Sequence, residues 1–304
     1  MQELEWIWMN GQKMPWKEAT THVLTHALHY GTGVFEGIRC YDTIRGPAVF
    51  RLHDHLLRLF DSAKVVRMEI PYTIDQLTQA SLELIVANRV KECYIRPLAF
   101  RGYGEMGVDP TNCKVDCVIA AWQWGKYMGE KGIKEGIRAK ISSYTRTYIN
   151  SASPRAKTTA NYLNSALAKV EARDLGYDEA ILLDSNGFLS EGSGENLFLV
   201  KNGVILTPHP YSILLGITRG SVIEIARQLG LEVQETLCTR DDLYLADEAF
   251  FTGTAAEITP IVEVDSRVIG DGKPGEITKK LQNAFFEIVK GDNPDYDKWL
   301  TYVS

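Results

Sequence analysis

A lysine among small residues is the feature of this sequence that points most directly to chemistry. Lys157 lies in the run 156–160 of alanine and threonine, so its side chain has room to lie inside a pocket. Downstream, Glu191 stands in the serine- and glycine-rich run 190–194, which favours a tight turn that holds a carboxylate. A lysine that forms an imine and an acid that keeps a pyridine nitrogen protonated are together what a pyridoxal phosphate enzyme needs. Alone the pair is weak evidence, because most lysines and acids are surface charges.

Composition narrows the class of protein around these residues. The 304 residues allow two domains, and 45% hydrophobic with 24% charged residues is typical of a soluble globular protein. The net charge of −6 argues against nucleic acid as a partner, no apolar run reaches the length of a membrane span, and the acidic start at 1–5 is unlike a signal peptide. The five cysteines lack paired metal spacing, which predicts reduced, mostly buried thiols, a cytoplasmic location and no metal site.

Residues 1–122 predict a small N-terminal α+β domain in which helices are grouped between strand pairs. Asn10-Gly11 favours a hairpin turn, and Thr73 with Gln76 forms a capping box that begins a helix running to about residue 89. A further helix is expected over 56–66 from its apolar periodicity. Strands are expected at 6–9, 34–41, 48–52, 93–100 and 114–122.

Residues 123–136 carry four glycines and predict an interdomain linker, which leaves 137–304 as a larger C-terminal domain that carries Lys157. A helix is expected over 161–175. Its apolar stripe consists of Leu163, Leu167 and Val170. Strands are expected at 179–184, 188–190, 197–200, 204–207 and 250–252, and further helices at 221–229 and 277–290.

Three places could bind an anion such as a phosphate. Ile217 and Thr218 follow Gly216 at the start of a predicted helix, where backbone N–H groups point outward. Thr254 follows a predicted strand in a turn of small residues, and Arg58 lies on the first amphipathic helix. An ordinary N-cap threonine explains the helix start equally well. An arginine on such a helix is usually a solvated surface residue and only sometimes binds a phosphate.

Other kinds of site fit the sequence less well. The glycines of 31–37 approach a dinucleotide fingerprint, but their spacing is one residue too long and they lead into a strand. Histidines 22, 26 and 29 could share a helix, and histidines 53 and 55 lie near one predicted strand end. No second cluster with ligand spacing accompanies them, which favours core or surface histidines over a zinc site.

Six segments carry a pattern that can be named. They are YGTGVFEGIR at 30–39, YIRPL at 94–98, KTTANY at 157–162, SEGSGENLF at 190–198, LGITR at 215–219 and GTAAEITP at 253–260. In this order they resemble the branched-chain amino acid aminotransferases, which are fold type IV pyridoxal phosphate enzymes, over nearly the whole chain. The resemblance implies an α+β class with a small α+β domain, a larger β-rich α/β domain and an active site between them.

The resemblance also implies roles for the matching residues. Lys157 matches the lysine that forms the Schiff base and moves a proton at the substrate Cα. Glu191 matches the acid that pairs with the pyridine nitrogen, and Tyr162 the donor to the phenolic oxygen of the cofactor. Glu195 and Asn196 match positions that support the Glu191 turn. The phosphate of pyridoxal 5′-phosphate is expected to contact Arg58, Ile217, Thr218 and Thr254.

Substrate contacts follow from the same resemblance. The α-carboxylate is expected to meet the Tyr94 hydroxyl and the backbone N–H groups of Thr254 and Ala255, and Arg96 the side-chain carboxylate of glutamate. Met106 and Val108 match residues that reach the site of a neighbouring subunit, which implies a homodimer at least and allows a homohexamer. The apolar pocket is expected to be walled by Tyr30, Phe35, Trp124, Tyr127 and Tyr162.

The implied activity is a ping-pong transamination between L-leucine, L-isoleucine or L-valine and 2-oxoglutarate through the Lys157 Schiff base. D-amino acid aminotransferases and aminodeoxychorismate lyases share equivalents of Lys157 and Glu191, and a non-catalytic cofactor-binding protein is a third alternative. The segments 35–39 and 94–97 favour the L-branched-chain enzymes, and the intact catalytic residues argue against loss of turnover. Residues 158–160 depart from relatives that are glycine-rich there, which leaves the geometry beside the lysine open.

Overall fold

The computed structural model describes residues 2–125 and 128–303, which pack as two compact units. The first unit comprises Met1–Gly125, Ala156–Ala160 and Glu287–Ser304, and the second comprises Lys126–Arg155 and Asn161–Phe286. The short segment that carries Lys157 therefore packs with the N-terminal part of the chain, whereas the sequence assigned it to the C-terminal domain. The boundaries 1–122, 123–136 and 137–304 remain a prediction.

Runs of strands are separated by helices along both units. The strands are β1 (Trp6–Met9), β2 (Gln12–Pro15), β3 (Gly33–Phe35), β4 (Ile38–Thr43), β5 (Gly46–Phe50), β6 (Cys93–Arg101), β7 (Val115–Trp122), β8 (Ile137–Thr145), β9 (Glu179–Leu183), β10 (Leu189–Gly192), β11 (Asn196–Lys201), β12 (Val204–Pro208), β13 (Val233–Thr236), β14 (Glu248–Gly253), β15 (Glu257–Val264), β16 (Arg267–Val268) and β17 (Leu300–Tyr302). The α-helices are α1 (His26–Tyr30), α2 (Leu52–Val65), α3 (Ile74–Asn88), α4 (Gly129–Glu135), α5 (Tyr162–Asp174), α6 (Ile217–Gln228), α7 (Arg240–Tyr244) and α8 (Glu276–Val289). The α+β class expected from the sequence is confirmed.

The first unit is built on one sheet with the order β17-β5-β4-β6-β7-β1-β2, in which β3 also pairs with β6. The hairpin predicted at Asn10-Gly11 is confirmed, because both residues adopt positive φ between β1 and β2. The capping box is confirmed as well: the Thr73 hydroxyl accepts the N–H of Gln76 at the start of α3. Helices α2 and α3 pack on each other and on the sheet, with Leu56 among the fully buried residues of this core.

The single strand predicted at 34–41 is in fact two, β3 and β4, which both pair antiparallel with β6. The break falls at Glu36 and Gly37. A Cβ atom on Gly37 would lie 1.9 Å from the hydroxyl oxygen of Tyr94, so only glycine allows that contact. The Glu36 side chain is fully buried, and its partners, described below, are on α2.

The second unit is built on a sheet with the order β10-β9-β8-β15-β14-β11-β12-β13, with β16 paired to β15. Strand β11 is central to the site, since its register places Asn196 opposite both Glu191 of β10 and Thr252 of β14. The hairpin turn predicted at Asn202-Gly203 is confirmed by positive φ at both residues. Strands β8, β13, β15 and β16 were not predicted, and the expected linker contains helix α4.

Helix α5 is present, but its apolar stripe does not face the core. Leu163, Leu167 and Val170 are exposed, at 68%, 41% and 43%. The buried face carries the small residues Ser165, Ala168 and Ala172 instead. Small side chains let the helix approach strands β8 and β9 closely, which explains why the larger ones point outward.

The cysteines and two of the histidines are buried. The five cysteines are buried and free, as expected from the sequence. His26 is buried and contacts Thr32 and the Gly107 carbonyl, and His55 lies on α2 and not at a strand end. No cluster of metal-ligating side chains was found in residues 2–125 and 128–303. Across the same ranges, no helix has the length and apolar character needed to cross a membrane.

Candidate active site

In the first unit, Lys157 is fixed through its backbone on both sides. Its N–H donates to the hydroxyl of Ser62 on α2 at 3.0 Å, and its carbonyl accepts the N–H of Phe35 at 3.1 Å. An isolated bridge between Val34 and Thr158 extends this pairing. The Lys157 Nζ atom lies 4.9 Å from the centroid of the Phe35 ring. The lysine expected to bind the cofactor is thus held against a residue expected to contact substrate.

Arg58 is not a solvated surface residue. It lies on α2, and its Nε and Nη2 atoms donate to the Glu36 carboxylate oxygens at 2.7 and 2.8 Å. His55, one turn earlier on the same helix, places Nδ1 2.7 Å from Glu36 Oε2. The sequence did not predict a role for Glu36 or His55, because nothing in their spacing indicates a contact across 19 and 22 residues.

Burial and the neighbouring charges shift the pKa values of Glu36 and His55. Burial acts to raise the pKa of Glu36, but the charge of Arg58 and the hydrogen bonds from His55 and Arg58 outweigh it and hold that pKa well below its usual range. Burial lowers the pKa of His55; the bond to Glu36 opposes this, and the charges of Arg58 and Lys157 reinforce it. Because a carboxylate only accepts hydrogen bonds, Nδ1 carries the proton of the neutral His55 ring.

Replacing His55 with glutamine is expected to make folding less sensitive to mild acid. An unfolded histidine takes up a proton near about pH 6.5, while the folded protein, in which the pKa of His55 is lowered, resists that proton. The part of the free energy of unfolding that arises from this difference in pKa is therefore fully present above about pH 6.5, and it is lost as the pH falls towards the folded-state pKa. Urea-unfolding midpoints between about pH 7.5 and 5.5 should fall less for His55→Gln than for the parent. The exposed His53 on the same helix supplies the control His53→Gln, and equal flattening in both variants would contradict the prediction.

Arg96 lies in an aromatic cluster. Its Cζ atom is 4.7 Å from the Phe35 ring centroid and 5.5 Å from those of Tyr94 and Trp122. The Tyr94 ring in turn packs edge-on against Trp124 at 4.8 Å. The buried Nε of Arg96 has no hydrogen-bond partner among the residues that the structure describes. This cation is therefore held by ring faces and keeps a donor that a carboxylate could use.

Four other residues expected at the substrate are placed as follows. Tyr30, Met106 and Val108 are 42%, 44% and 85% exposed in the chain. Tyr162 is the first residue of α5 in the second unit. Tyr127 lies outside the described residues.

In the second unit, the Glu191 carboxylate is held at both oxygens. Oε1 lies 2.8 Å from Nη2 of Arg146, and both side chains are less than a tenth exposed. Oε2 accepts the Asn196 amide at 3.2 Å and the Leu214 backbone N–H at 3.0 Å. The sequence singled out Asn196 but not Arg146, because Arg146 follows β8, a strand that was not predicted.

Glu195 follows the Glu191 turn and has a different electrostatic environment. Burial and the nearby negative charge of Glu179 raise its pKa to about 8, although Lys169 and the Gly194 N–H act in the opposite direction. Its Oε2 accepts that N–H at 3.0 Å. Burial and the charge of Glu179 therefore favour the protonated form of Glu195, whereas the Glu191 carboxylate is paired with the Arg146 guanidinium at 2.8 Å.

Two candidate anion sites lie near Asn196. Helix α6 begins at Ile217 with Gly216 as its N-cap, and no side chain caps it. A Cβ atom on Gly216 would lie 2.1 Å from Asn196 Oδ1, so the start of α6 lies against the residue that holds Glu191. Thr254 follows the end of β14, which pairs with β11. The backbone N–H groups at the start of α6 can bind an anion such as a phosphate.

Each unit offers its own groups that suit one part of such a cofactor. The first supplies a primary amine, an oriented guanidinium and an arginine among aromatic rings. The second supplies a buried carboxylate with an arginine partner and a helix start without a side-chain cap. An aldehyde, a pyridine nitrogen and a phosphate are the groups that such donors and acceptors would hold, so the residues present fit pyridoxal phosphate.

Comparison with known proteins gives a consistent result. The family model of the amino-transferases class IV matches residues 33–264. The branched-chain-amino-acid aminotransferase of Pseudomonas aeruginosa is 50% identical over 98% of this chain and 97% of its own length. The crystal structure of the Escherichia coli branched-chain amino acid aminotransferase superposes with a TM-score of 0.97 at 48% identity, over 99% of this chain and all of that one. The crystal structure of the T.th. enzyme, complexed with N-(5′-phosphopyridoxyl)-L-glutamate, gives a TM-score of 0.95 at 49% identity over both whole chains.

Proposed function

Because this chain belongs to the branched-chain amino acid aminotransferases of class IV, we propose that it transfers the amino group between L-leucine, L-isoleucine or L-valine and 2-oxoglutarate. Its cofactor is pyridoxal 5′-phosphate, and its products are the branched-chain 2-oxo acids and L-glutamate. The two half-reactions alternate in a ping-pong scheme. The substrates are small molecules, and the site is expected to work in the cytoplasm.

The proposed roles are those that the resemblance implies for the matching residues. Lys157 binds the cofactor covalently through Nζ and moves a proton to and from the substrate Cα. When bound, the cofactor supplies a ring that withdraws electrons from that carbon. Glu191 keeps the ring nitrogen protonated, and Tyr162 donates to the phenolic oxygen. The phosphate is held by Arg58, Ile217, Thr218 and Thr254.

The observation that carries the substrate assignment is the aromatic cluster around Arg96. Phe35, Tyr94 and Trp122 offer ring faces on which a branched aliphatic side chain can pack, and they stack the guanidinium at the same time. One pocket can then accept leucine by apolar contact and glutamate by an ion pair, as a transaminase with both substrates requires. The T.th. enzyme holds a phosphopyridoxyl-glutamate adduct, which supports glutamate as one substrate here.

Replacing Arg96 with leucine is expected to separate the two half-reactions. The reaction with glutamate or 2-oxoglutarate should slow by about ten- to a hundredfold, because a charge-assisted hydrogen bond of about 1.5–3 kcal/mol is lost. The reaction with leucine should change much less, since its side chain offers no charge. Single-turnover kinetics followed by the cofactor absorbance measure both. The control is Arg101→Leu. Arg101 lies at the end of the same strand, and its guanidinium donates to the backbone carbonyls of Arg67 and Cys113.

Equal losses for leucine and glutamate would show that Arg96 only supports the fold, and dual-substrate recognition would have to lie elsewhere.

The alternatives within the fold are tested with the same enzyme preparation. Turnover of D-alanine with 2-oxoglutarate would indicate a D-amino acid aminotransferase, and pyruvate release from aminodeoxychorismate a lyase. Either activity in place of L-leucine turnover would overturn the proposed substrate.

We also propose that the active form is a homodimer at least, with a homohexamer as a further possibility. Tyr30, Met106 and Val108 are apolar or aromatic residues that remain exposed in the chain, and exposed apolar groups are typical of a subunit contact. Sedimentation measures the oligomer directly. A fully active monomer would overturn this part of the proposal.

A further inference from the structure

Helix α2 presents three polar residues on one face. His55, Arg58 and Ser62 follow one another at intervals of three and four residues, which places them in a row along the helix. Ser62 holds the backbone N–H of Lys157, and both other residues contact Glu36. One rigid helix thus fixes the lysine proposed to bind the cofactor and the arginine proposed to bind its phosphate.

The contact between Glu36 and Arg58 determines a direction as well as a distance. Both carboxylate oxygens meet one edge of the guanidinium, formed by Nε and Nη2. Because the guanidinium is planar, this two-point contact fixes the plane and the aim of the whole group. The Glu36 side chain is 0% exposed and that of Arg58 is 13% exposed, so little water competes for either.

A fully buried carboxylate is costly, and a position that needed only packing would favour an apolar residue. Here the carboxylate is fully engaged: it meets Arg58 twice, His55 once and the Gly37 N–H at 3.3 Å. Such an arrangement stabilises one orientation of the arginine before any ligand arrives. Orientation set in advance lowers the entropic cost of binding.

We propose that Glu36 is a positioning residue for the cofactor phosphate, which it serves by aiming Arg58, while the His55 ring holds Glu36 in place. The proposal rests on the proposed function, because it assumes pyridoxal phosphate at Lys157. The opposite effect is the alternative to be tested, in which Glu36 competes with the phosphate for Arg58. The two cases predict opposite changes in affinity when the carboxylate is neutralised.

The test compares two ligands that differ only in the phosphate. Apo protein carrying Glu36→Gln is titrated with pyridoxal 5′-phosphate and with pyridoxal, using the visible absorbance that each gives at Lys157. Affinity for the phosphorylated ligand should fall by about tenfold or more, and that for pyridoxal should stay within about twofold. If Glu36 had a purely structural role, the substitution would lower the affinity for both ligands alike. If Glu36 competed with the phosphate, the substitution would raise the affinity for pyridoxal 5′-phosphate. Either result would overturn the proposal.

Two further variants make the comparison specific. Arg58→Lys keeps the positive charge but loses the two-point contact, so it should show the same selective loss. In the double variant Glu36→Gln/Arg58→Lys the losses should not add, because both act on one contact. Glu248→Gln is the matched control, since Glu248 accepts the Thr278 N–H at the start of α8 and has no proposed tie to the cofactor. Its ratio of the two affinities should equal that of the parent.

If Glu36→Gln does not fold, the two single variants His55→Leu and Arg58→Lys decide the question. His55→Leu removes a donor to Glu36 without touching Arg58 and should weaken the phosphorylated ligand severalfold, with pyridoxal unchanged. An unchanged ratio in both variants overturns the inference. Failure of the proposed function looks different: the parent protein would then not bind pyridoxal phosphate, or borohydride reduction would trap the ligand on a lysine other than Lys157.

Discussion

Replacing Lys157 with alanine is expected to remove the visible absorbance of the bound cofactor and at least about a thousandfold of the transaminase rate. The loss should be large because one side chain is proposed to perform two tasks, covalent attachment and proton transfer at Cα. Its backbone bonds to Ser62 and Phe35 do not depend on the side chain, so the variant should fold normally. Absorbance spectra and steady-state assays with L-leucine and 2-oxoglutarate measure the two effects.

A matched control lies on the helix that holds this lysine. Lys64 is an exposed residue of α2, and Lys64→Ala should keep both the absorbance and the rate. Normal turnover by the Lys157 variant would show that another group carries the chemistry. Loss of activity in both variants would point instead to damage of α2.

Features that depend on a few neighbouring residues could be predicted from the sequence. The hairpin turn at Asn202-Gly203 and the capping box of Thr73 and Gln76 are local hydrogen-bonding arrangements, and the structure contains both. The lysine and acid at Lys157 and Glu191 were visible because small or flexible neighbours surround them. Their proposed roles come from the resemblance and not from local pattern alone.

Features that depend on distant partners could not be predicted. The break in the strand at Glu36 arises because α2 supplies His55 and Arg58 to a buried carboxylate, and no periodicity records that. The outward stripe of α5 has the same origin, since close packing on the sheet selects Ala168 over the larger Leu167. The sequence alone shows which residues are apolar, but not which face the neighbouring strands leave room for.

Glu191→Gln is expected to bind the cofactor and yet react far more slowly in both half-reactions. Glutamine can still accept the Leu214 N–H but does not keep the ring nitrogen protonated, so the ring withdraws fewer electrons. Each tenfold loss corresponds to about 1.4 kcal/mol of barrier, and a loss of at least about a hundredfold is expected. Glu171→Gln, whose parent residue accepts from Ser143 on β8, is the control. A variant as fast as the parent would remove Glu191 from the chemistry.

The ion pair between Arg146 and Glu191 allows the structural effect of this substitution to be separated from its effect on the reaction. With Glu191 neutral, the buried Arg146 guanidinium would lose its carboxylate partner at 2.8 Å, and a lone positive charge so close to the residue proposed to pair with the ring nitrogen would oppose protonation of that nitrogen. Removing one member of a buried ion pair also costs about 3–5 kcal/mol of stability, whereas removing both costs less. The double variant Arg146→Met/Glu191→Gln should therefore regain thermal stability and cofactor affinity relative to Glu191→Gln, while its half-reactions stay slow. Recovery of stability without recovery of rate would separate the structural part of the pair from the part that Glu191 plays in the reaction. Recovery of both would mean that the unpaired Arg146 charge, and not the missing acid, had slowed the chemistry.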